Sequence, residues 1–262
     1  MRNDKNTDKP ITAEKIISAM LKIQDKEQQK NLSRFFKTGI GEYGEGDKFL
    51  GIKVPQTRQI VKENKLRIDF SEIKTMLYSE WHEIRLCAFL LLAEKMRAAL
   101  PGKGTDNIKK ASERNNIANF YLKHAKQANN WDLVDLTCGQ VLGEWLLNRL
   151  PDGNFPDRNI LDKLADSKNI WEQRISIVTT LRLIRASEFT DTLRIAIKLM
   201  PHKHDLIQKA TGWMLREIGK KNIELLRTFL EDNSKKMSRT TLRYAIERMD
   251  KKEREFWMET SR

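Results

Sequence analysis

The sequence predicts an all-α protein, a right-handed α-α superhelix of HEAT-like repeats (an α-solenoid) with a concave basic surface. Glycine and proline number only 12 and 6 among 262 residues, and apolar residues recur at helical spacing between them. No segment shows the two-residue alternation of a strand. Similar helix openings recur roughly 35–50 residues apart, the length of a two-helix unit that buries its faces by stacking. A compact helical bundle of irregular topology is the alternative.

Individual helices are predicted from apolar spacing and from residues that start helices. Thr12 precedes the first helix, in which Ile16 and Met20 lie one turn apart, and Pro55 occupies a first-turn position of a later helix. The predicted helices cover residues 12–21, 31–36, 55–64, 71–79, 81–98, 105–127, 131–148, 158–165, 170–186, 188–200, 205–218, 222–230 and 238–249.

The chain is strongly basic, because 49 Lys and Arg against 36 Asp and Glu give a net charge of +13. Such a charge attracts polyanions, nucleic acid in the first place and anionic membranes in the second, although it can also serve solubility alone. No apolar run approaches the ~18 residues of a membrane-spanning helix, so we expect no membrane partner.

We expect a single domain over residues 1–262, in which residues 1–10 form a polar, mobile tail. Cys87 and Cys138 lie within apolar helical runs, which predicts buried thiols in a reducing compartment. The tail lacks the apolar stretch of a signal peptide. The expected location is therefore the cytoplasm.

The segment 129–135, Asn-Asn-Trp-Asp-Leu-Val-Asp, carries the strongest chemical signal. At about 100° per residue, Trp131 and Asp135 share an apolar arc, whereas Asp132 points well away from its centre. An acidic side chain in the first turn stabilises a helix through its dipole, and this explains the presence of Asp132 well but that of Asp135 poorly. A carboxylate on an apolar arc needs a partner or a function, so Asp135 is our candidate catalytic residue.

Two further segments place polar or aromatic groups on apolar helices. Arg174 falls within an apolar stripe, where it must reach either a core partner such as Asp135 or an external phosphate, and the sequence leaves both open. Trp213 lies at the edge of another stripe, flanked by Lys209 and Arg216. An indole between cations suits a surface that touches DNA, but it equally suits a ring that covers the core.

Several motifs are absent or misleading. Residues 39–44 match Gly-x-Gly-x-x-Gly, but they follow a predicted helix rather than a strand, so we predict a loop. His202 and His204 have no cysteine or carboxylate cluster at metal-ligand spacing. No nucleophile elbow, phosphate loop, helix-turn-helix or zinc finger is present. We expect no metal and no cofactor.

Together, the ordered motifs resemble the AlkD-like family of bacterial DNA alkylation-repair glycosylases. The pieces that carry the resemblance are residues 41–47 (GEYGEGD), 49–52 (FLGI) with 54–55 (VP), 130–135 (NWDLVD), 171–174 (WEQR) and 212–213 (GW). They span most of the chain. The tryptophan–aspartate segment is the most specific of them.

The resemblance implies a HEAT-like superhelix that hydrolyses the N-glycosidic bond of cationic N-alkylated purines, such as 7-methylguanine and 3-methyladenine. The implied partner is alkylated double-stranded DNA, bound by a monomer in the bacterial nucleoid, with the lesion left stacked rather than flipped out. By motif, Trp131, Asp135, Arg174 and Trp213 match the lesion site of the family. Tyr43 is a further candidate for contact with DNA.

The expected roles follow from these matches. Asp135, Trp131 and Trp213 are expected to be catalytic, and the expected DNA-binding residues are Arg174, Tyr43, Lys209 and Arg216. The rival hypothesis is a non-catalytic helical-repeat module that binds DNA or a protein. Asp135 discriminates the two, because a pure binder gains nothing from a carboxylate that faces phosphates.

Overall fold

A computed structural model describes residues 10–102 and 107–260, and over these residues the protein is all-α without a strand, as predicted. The helices are α1 (Ala13–Lys22), α2 (Lys26–Phe35), α3 (Val54–Asn64), α4 (Phe70–Leu77), α5 (His82–Ala99), α6 (Ile108–Lys123), α7 (Trp131–Asp135), α8 (Glu144–Leu146), α9 (Asn159–Ala165), α10 (Ile170–Arg185), α11 (Thr190–Leu199), α12 (Asp205–Lys221), α13 (Ile223–Asn233), α14 (Arg239–Ala245) and α15 (Lys251–Thr260). The expected N-terminal tail lies outside the described residues except for Pro10.

Most helix starts coincide with the signals read from the sequence. The Thr12 hydroxyl accepts a hydrogen bond from the Lys15 amide at the start of α1, and Pro55 lies in the first turn of α3. Helix α2 begins five residues before its predicted start at residue 31. None of its residues within Lys26–Phe35 is fully buried, so its apolar pattern is weak.

The chain forms two compact units, Met1–Thr137 and Cys138–Arg262. The segment predicted as one helix over residues 131–148 is α7, a π-helical turn at Gly139–Gly143 and the short α8. Glycine has a low helix propensity, and two glycines bound this turn, which gives a physical reason for the interruption.

Helix α5 is the centre of the first unit. It is apolar on nearly every side, and α3, α4 and α6 pack against it, while α1 packs on α4. Cys87 lies fully buried on α5, as predicted, and burial raises the pKa of its thiol to about 12. The N-terminal end of α5 also contacts α7, and this contact positions the site described below.

Successive helices also pack on one another in the second unit. Helix α10 contacts α9, α11 and α12, and α12 contacts α11, α13 and α14. Helix α14 approaches α12 closely at Gly212, where an added Cβ would lie 2.4 Å from the Thr241 carbonyl oxygen. Such neighbour-to-neighbour packing is typical of helical-repeat proteins. The handedness of the superhelix and its concave surface remain predictions.

Helix α15 was not predicted. Its sequence is mostly charged and Trp257 is its one fully buried residue within Lys251–Thr260, so it carries little periodic signal. None of the helices in the described part of the chain combines the length and apolar character needed to cross a bilayer.

Candidate active site

A pocket of about 360 Å³ lies in the first unit. Trp131 and Asp135, the two candidates on α7, both line it, so the structure brings these two predicted residues together. The complete lining consists of Leu32, Phe35, Phe36, Phe49, Ile52, Lys53, Val54, His82, Glu83, Leu86, Trp131, Asp132, Asp135 and Leu136. The pocket thus presents a carboxylate inside a largely apolar wall.

Aromatic rings form much of this wall. The Phe36 ring is stacked between two others. Its centroid lies 5.3 Å from that of Trp131, with the planes at 28°, and 5.1 Å from that of Phe49, with the planes at 14°. Phe35 meets the Trp131 ring edge-on at 5.9 Å and is 62% exposed. The pocket therefore offers several aromatic surfaces that can attract a cation.

Sequence reasoning missed the two phenylalanines at the end of α2. Phe35 and Phe36 lie at the end of the strongly polar helix α2, just before residues 39–47, which we call the glycine-rich loop. Two adjacent aromatic residues at the polar end of a helix were the available signal, because large exposed rings are expected at interfaces more often than at random surface positions.

The two acids of α7 have environments that differ from the helical-wheel expectation. Both acids line the pocket, but Asp132 is 5% exposed, whereas Asp135 is half-buried. The wheel failed because α7 has only five residues before the helix becomes irregular, and because α5 covers the face on which Asp132 lies. Access to solvent is retained at Asp135, the acid that was assigned the catalytic role.

A cluster of four buried charged residues lies at the pocket, and we call Asp47, His82, Arg85 and Asp132 the charge cluster. His82 and Asp132 line the pocket, whereas Asp47 and Arg85 do not. The imidazole of His82 bonds to Asp47 Oδ2 through Nδ1 at 2.8 Å and to Asp132 Oδ2 through Nε2 at 2.9 Å. Arg85 donates to the second oxygen of Asp47. The cluster ties the glycine-rich loop, α5 and α7 together.

Electrostatics favour the ionised state of the charge cluster. Burial opposes a charged imidazole, but the carboxylates of Asp132 and Asp47 outweigh it and raise the pKa of His82 to about 9. Burial likewise opposes ionisation of Asp47, yet His82 and Arg85 hold the pKa of this carboxyl below its usual value. At neutral pH, His82 is therefore a cation between two anions.

Two neighbouring groups complete the support of the pocket wall. The buried carboxylate of Glu83 accepts hydrogen bonds from the amides of Leu50, Gly51 and Ile52 at 2.8–3.0 Å, which holds the segment after Phe49 onto α5. Asn130 caps α7 by accepting from the Trp131 amide at 2.9 Å. The role of Glu83 was not assigned from the sequence.

Tyr43 lies beside the pocket rather than in its wall. Its ring is half-buried in the glycine-rich loop, and its hydroxyl lies 3.5 Å from the Phe35 carbonyl oxygen, which it can approach as a donor. The loop itself is a series of turns, as predicted.

The remaining candidates belong to the second unit. Arg174 on α10 is 6% exposed, and its guanidinium donates to the Leu206 carbonyl at 2.5 Å. Trp213 on α12 is half-buried, and its indole N–H donates to Glu217 at 3.1 Å. In the same helix, Lys209 pairs with Asp205 at 2.6 Å and Arg216 pairs with Glu247.

Comparisons with known proteins concern the family and the fold. The sequence profile of the DNA alkylation repair enzyme family matches residues 16–249. Among solved structures, a protein described as a predicted DNA alkylation repair enzyme from Enterococcus faecalis has a TM-score of 0.63 and 18% sequence identity, covering 87% of this chain and 97% of that chain. At this identity, the likeness concerns the fold. No curated protein sequence matches the chain.

The profile match extends from α1 to the end of the segment that follows α14, and it includes the pocket of the first unit and the candidates of the second. The match therefore covers most of the chain rather than a single motif. The chain belongs to the family of DNA alkylation repair enzymes.

Proposed function

We propose that the protein is a DNA glycosylase that hydrolyses the N-glycosidic bond of cationic N-alkylated purines, such as 7-methylguanine and 3-methyladenine, in double-stranded DNA. The observation that carries this proposal is the Asp135 carboxylate in the aromatic pocket, one helical turn from the Trp131 indole. The repair family to which the chain belongs supports DNA as the substrate.

The leaving group explains why a single carboxylate suffices. A purine alkylated at N7 or N3 already carries a positive charge, so it departs without being protonated by a general acid. As the C1′–N bond breaks, its electron pair moves to the purine, which becomes neutral, while positive charge develops on the deoxyribose. Asp135 stabilises this oxocarbenium-like charge electrostatically.

Asp135 also serves the second half of the reaction. A water molecule held by the carboxylate adds to C1′, and its proton passes to Asp135 and then to solvent. The products are the free alkylated base and an abasic site. The rings of Trp131 and of its exposed neighbour Phe35 attract the cationic sugar and base, each contact contributing about 0.5–2 kcal/mol.

We assign DNA backbone contacts to cations of both units. Lys53 is exposed at the pocket in the first unit, and Arg174, Lys209 and Arg216 are the candidates of the second. Trp213 is proposed as a further aromatic contact to the lesion, and Tyr43 as a contact beside the pocket. In this proposal the lesion remains stacked and the protein works from the backbone side, without metal or cofactor.

The decisive experiment is release of 7-methylguanine and 3-methyladenine from methylated duplex DNA, measured by chromatography. We expect release by the wild-type protein and a fall of about 10²–10³-fold in Asp135→Asn, with DNA affinity retained, because the amide removes the charge but keeps the shape. Asp232→Asn is the matched control, since it makes the same change at an exposed position of α13 and should retain full activity.

Two outcomes would reject the proposal. Undiminished release by Asp135→Asn would remove the carboxylate from the mechanism. DNA binding by the wild-type protein without release from any alkylated duplex would favour the non-catalytic binding module instead.

A further inference from the structure

His82 reaches Trp131 and its helix by two independent routes. The first route is polar: Nε2 of His82 bonds to Asp132, which lies next to Trp131 in the first turn of α7. Because Asp132 is 5% exposed and its Oδ1 also accepts from the Leu133 amide at 2.9 Å, this bond anchors the backbone of α7 onto α5.

The second route is a continuous stack of rings. The His82 imidazole stacks on Phe49 with centroids 4.5 Å apart and planes at 25°. Phe49 stacks on Phe36 at 5.1 Å, and Phe36 stacks on Trp131 at 5.3 Å. A protonated imidazole strengthens such a stack, because a cation is attracted to the face of an aromatic ring.

The charges around His82 make its protonation important for both routes. Asp47 faces it from the glycine-rich loop and Asp132 from α7, while Arg85 and Glu83 lie on its own helix; Glu83 is occupied by three backbone amides. Asp135 and Lys53 border the same pocket. If His82 loses its proton, it can donate to only one of its two carboxylates, and the other is left buried beside a nitrogen lone pair.

We propose that His82 is a positioning residue that, in its protonated form, holds the Trp131 ring and the Asp135 carboxylate in the geometry required for base release. The kinetic part of this inference rests on the proposed glycosylase activity, whereas the structural part does not. His82 is 1% exposed and is assigned a role through its neighbours rather than in direct contact with the substrate. It acts through Asp132 on the backbone of α7 and through Phe49 and Phe36 on the indole.

The pH dependence has a definite sign. The pKa of His82 is raised from 6.5 to about 9, so the stability that its ion pairs contribute is fully present below pH 6.5 and is lost as the pH rises through about 9. His124, His202 and His204 have lowered pKa values, first of all because of burial, and they titrate below 6.5. Among the described histidines, His82 is therefore the one expected to lose its proton at alkaline pH.

The kinetic test measures kcat and KM for base release between pH 6 and 10, corrected for non-enzymatic release. We expect the wild-type kcat to fall through about pH 9 with little change in KM. His82→Gln should lower kcat at pH 7 by about tenfold or more and abolish the alkaline fall, because misplacement of reacting groups acts on the chemical step. His124→Gln, at a buried histidine outside the charge cluster, should leave the profile unchanged.

A second variant tests the ring route and covers the case in which His82→Gln does not fold. Phe49→Leu removes the ring that stacks on both His82 and Phe36, and it leaves in place the hydrogen bonds of His82 and the direct, tilted contact between His82 and Phe36, whose centroids are 5.1 Å apart. We expect a reduced kcat together with a retained alkaline fall near pH 9. An unchanged kcat in Phe49→Leu would remove Phe49 from the proposal.

The structural test uses the free protein. The fluorescence of Trp131, obtained as the difference between wild type and Trp131→Phe, should change with a midpoint near pH 9 and should stay constant in His82→Gln. A flat signal through pH 9 in the wild type would overturn the inference even if base release is observed. Conversely, a transition near pH 9 without any base release would support the positioning role and reject the glycosylase.

Discussion

The two aspartates of α7 differ in their surroundings although they lie only three residues apart. Both line the pocket, but Asp132 is buried against His82 and joins α7 to α5, whereas Asp135 is half-buried and retains access to solvent. A carboxylate at a pocket wall can respond to charge that develops in a reaction.

The first residue-scale prediction separates these roles by stability. Asp132→Asn should lower the free energy of unfolding by about 3 kcal/mol, because it leaves the His82 cation with one carboxylate fewer inside the protein. Urea denaturation followed by circular dichroism measures the change, with Asp232→Asn as the exposed control. Wild-type stability in Asp132→Asn would contradict the buried ion pair.

At the scale of elements, the segment after the glycine-rich loop decides where α2 lies. Leu50 accepts from the Asp25 amide at 2.9 Å, and its own amide donates to Glu83 of α5 at 2.8 Å. Gly51 follows with φ of +84° and packs directly on the Asp25 backbone. This contact fixes the start of α2, and α2 carries Phe35 and Phe36 into the pocket wall.

The element-scale prediction concerns this contact. In Gly51→Ala the new Cβ would lie 2.1 Å from the Asp25 carbonyl oxygen in addition to adopting an unfavourable positive φ. We expect a loss of about 2–4 kcal/mol in unfolding free energy and a displaced α2, with weaker base release.

Gly46→Ala provides the matched control, because Gly46 has φ of +79° but an added Cβ would meet nothing within 4 Å. It should cost only about 1 kcal/mol, the penalty of the backbone conformation alone. Equal destabilisation by the two substitutions would show that the close approach to Asp25 is unimportant.

At the scale of the whole molecule, the net charge of +13 is the dominant property. Many of the cations are engaged in ion pairs, as Lys209 and Arg216 are. We therefore expect the net positive charge to attract DNA through the electrostatic field of the whole protein rather than through any single residue. Arg174 lies in a buried position, where its planar guanidinium donates to the Leu206 carbonyl. A preorganised guanidinium suits a phosphate better than a mobile lysine does.

The whole-molecule prediction is therefore a salt titration. The affinity for duplex DNA should fall linearly with the logarithm of salt concentration, and Arg174→Ala should both weaken binding and reduce the slope by about 1. Arg174→Lys should preserve the slope but not the full affinity, because it keeps the charge without the planar fork. An unchanged slope in Arg174→Ala would assign Arg174 to the core.

The sequence determined the all-α fold, most helix starts and the pairing of Trp131 with Asp135 in one pocket, because these depend on local spacing and on motifs within a few residues. It did not reveal the charge cluster, because Asp47, His82 and Asp132 are far apart in the chain. A buried charge requires a partner, but the local sequence does not identify which residue that partner is.

Tertiary structure also decided which face of α7 is buried. A helical wheel assumes a regular, isolated helix, whereas α7 ends after five residues and α5 covers the side that carries Asp132. The burial of a helix face depends on which element packs against it. Here that element is α5, which is held by the contact of Glu83 with Gly51 in the loop between α2 and α3. Such long-range contacts have no local signature, so only the folded chain establishes the surroundings of Trp131 and Asp135.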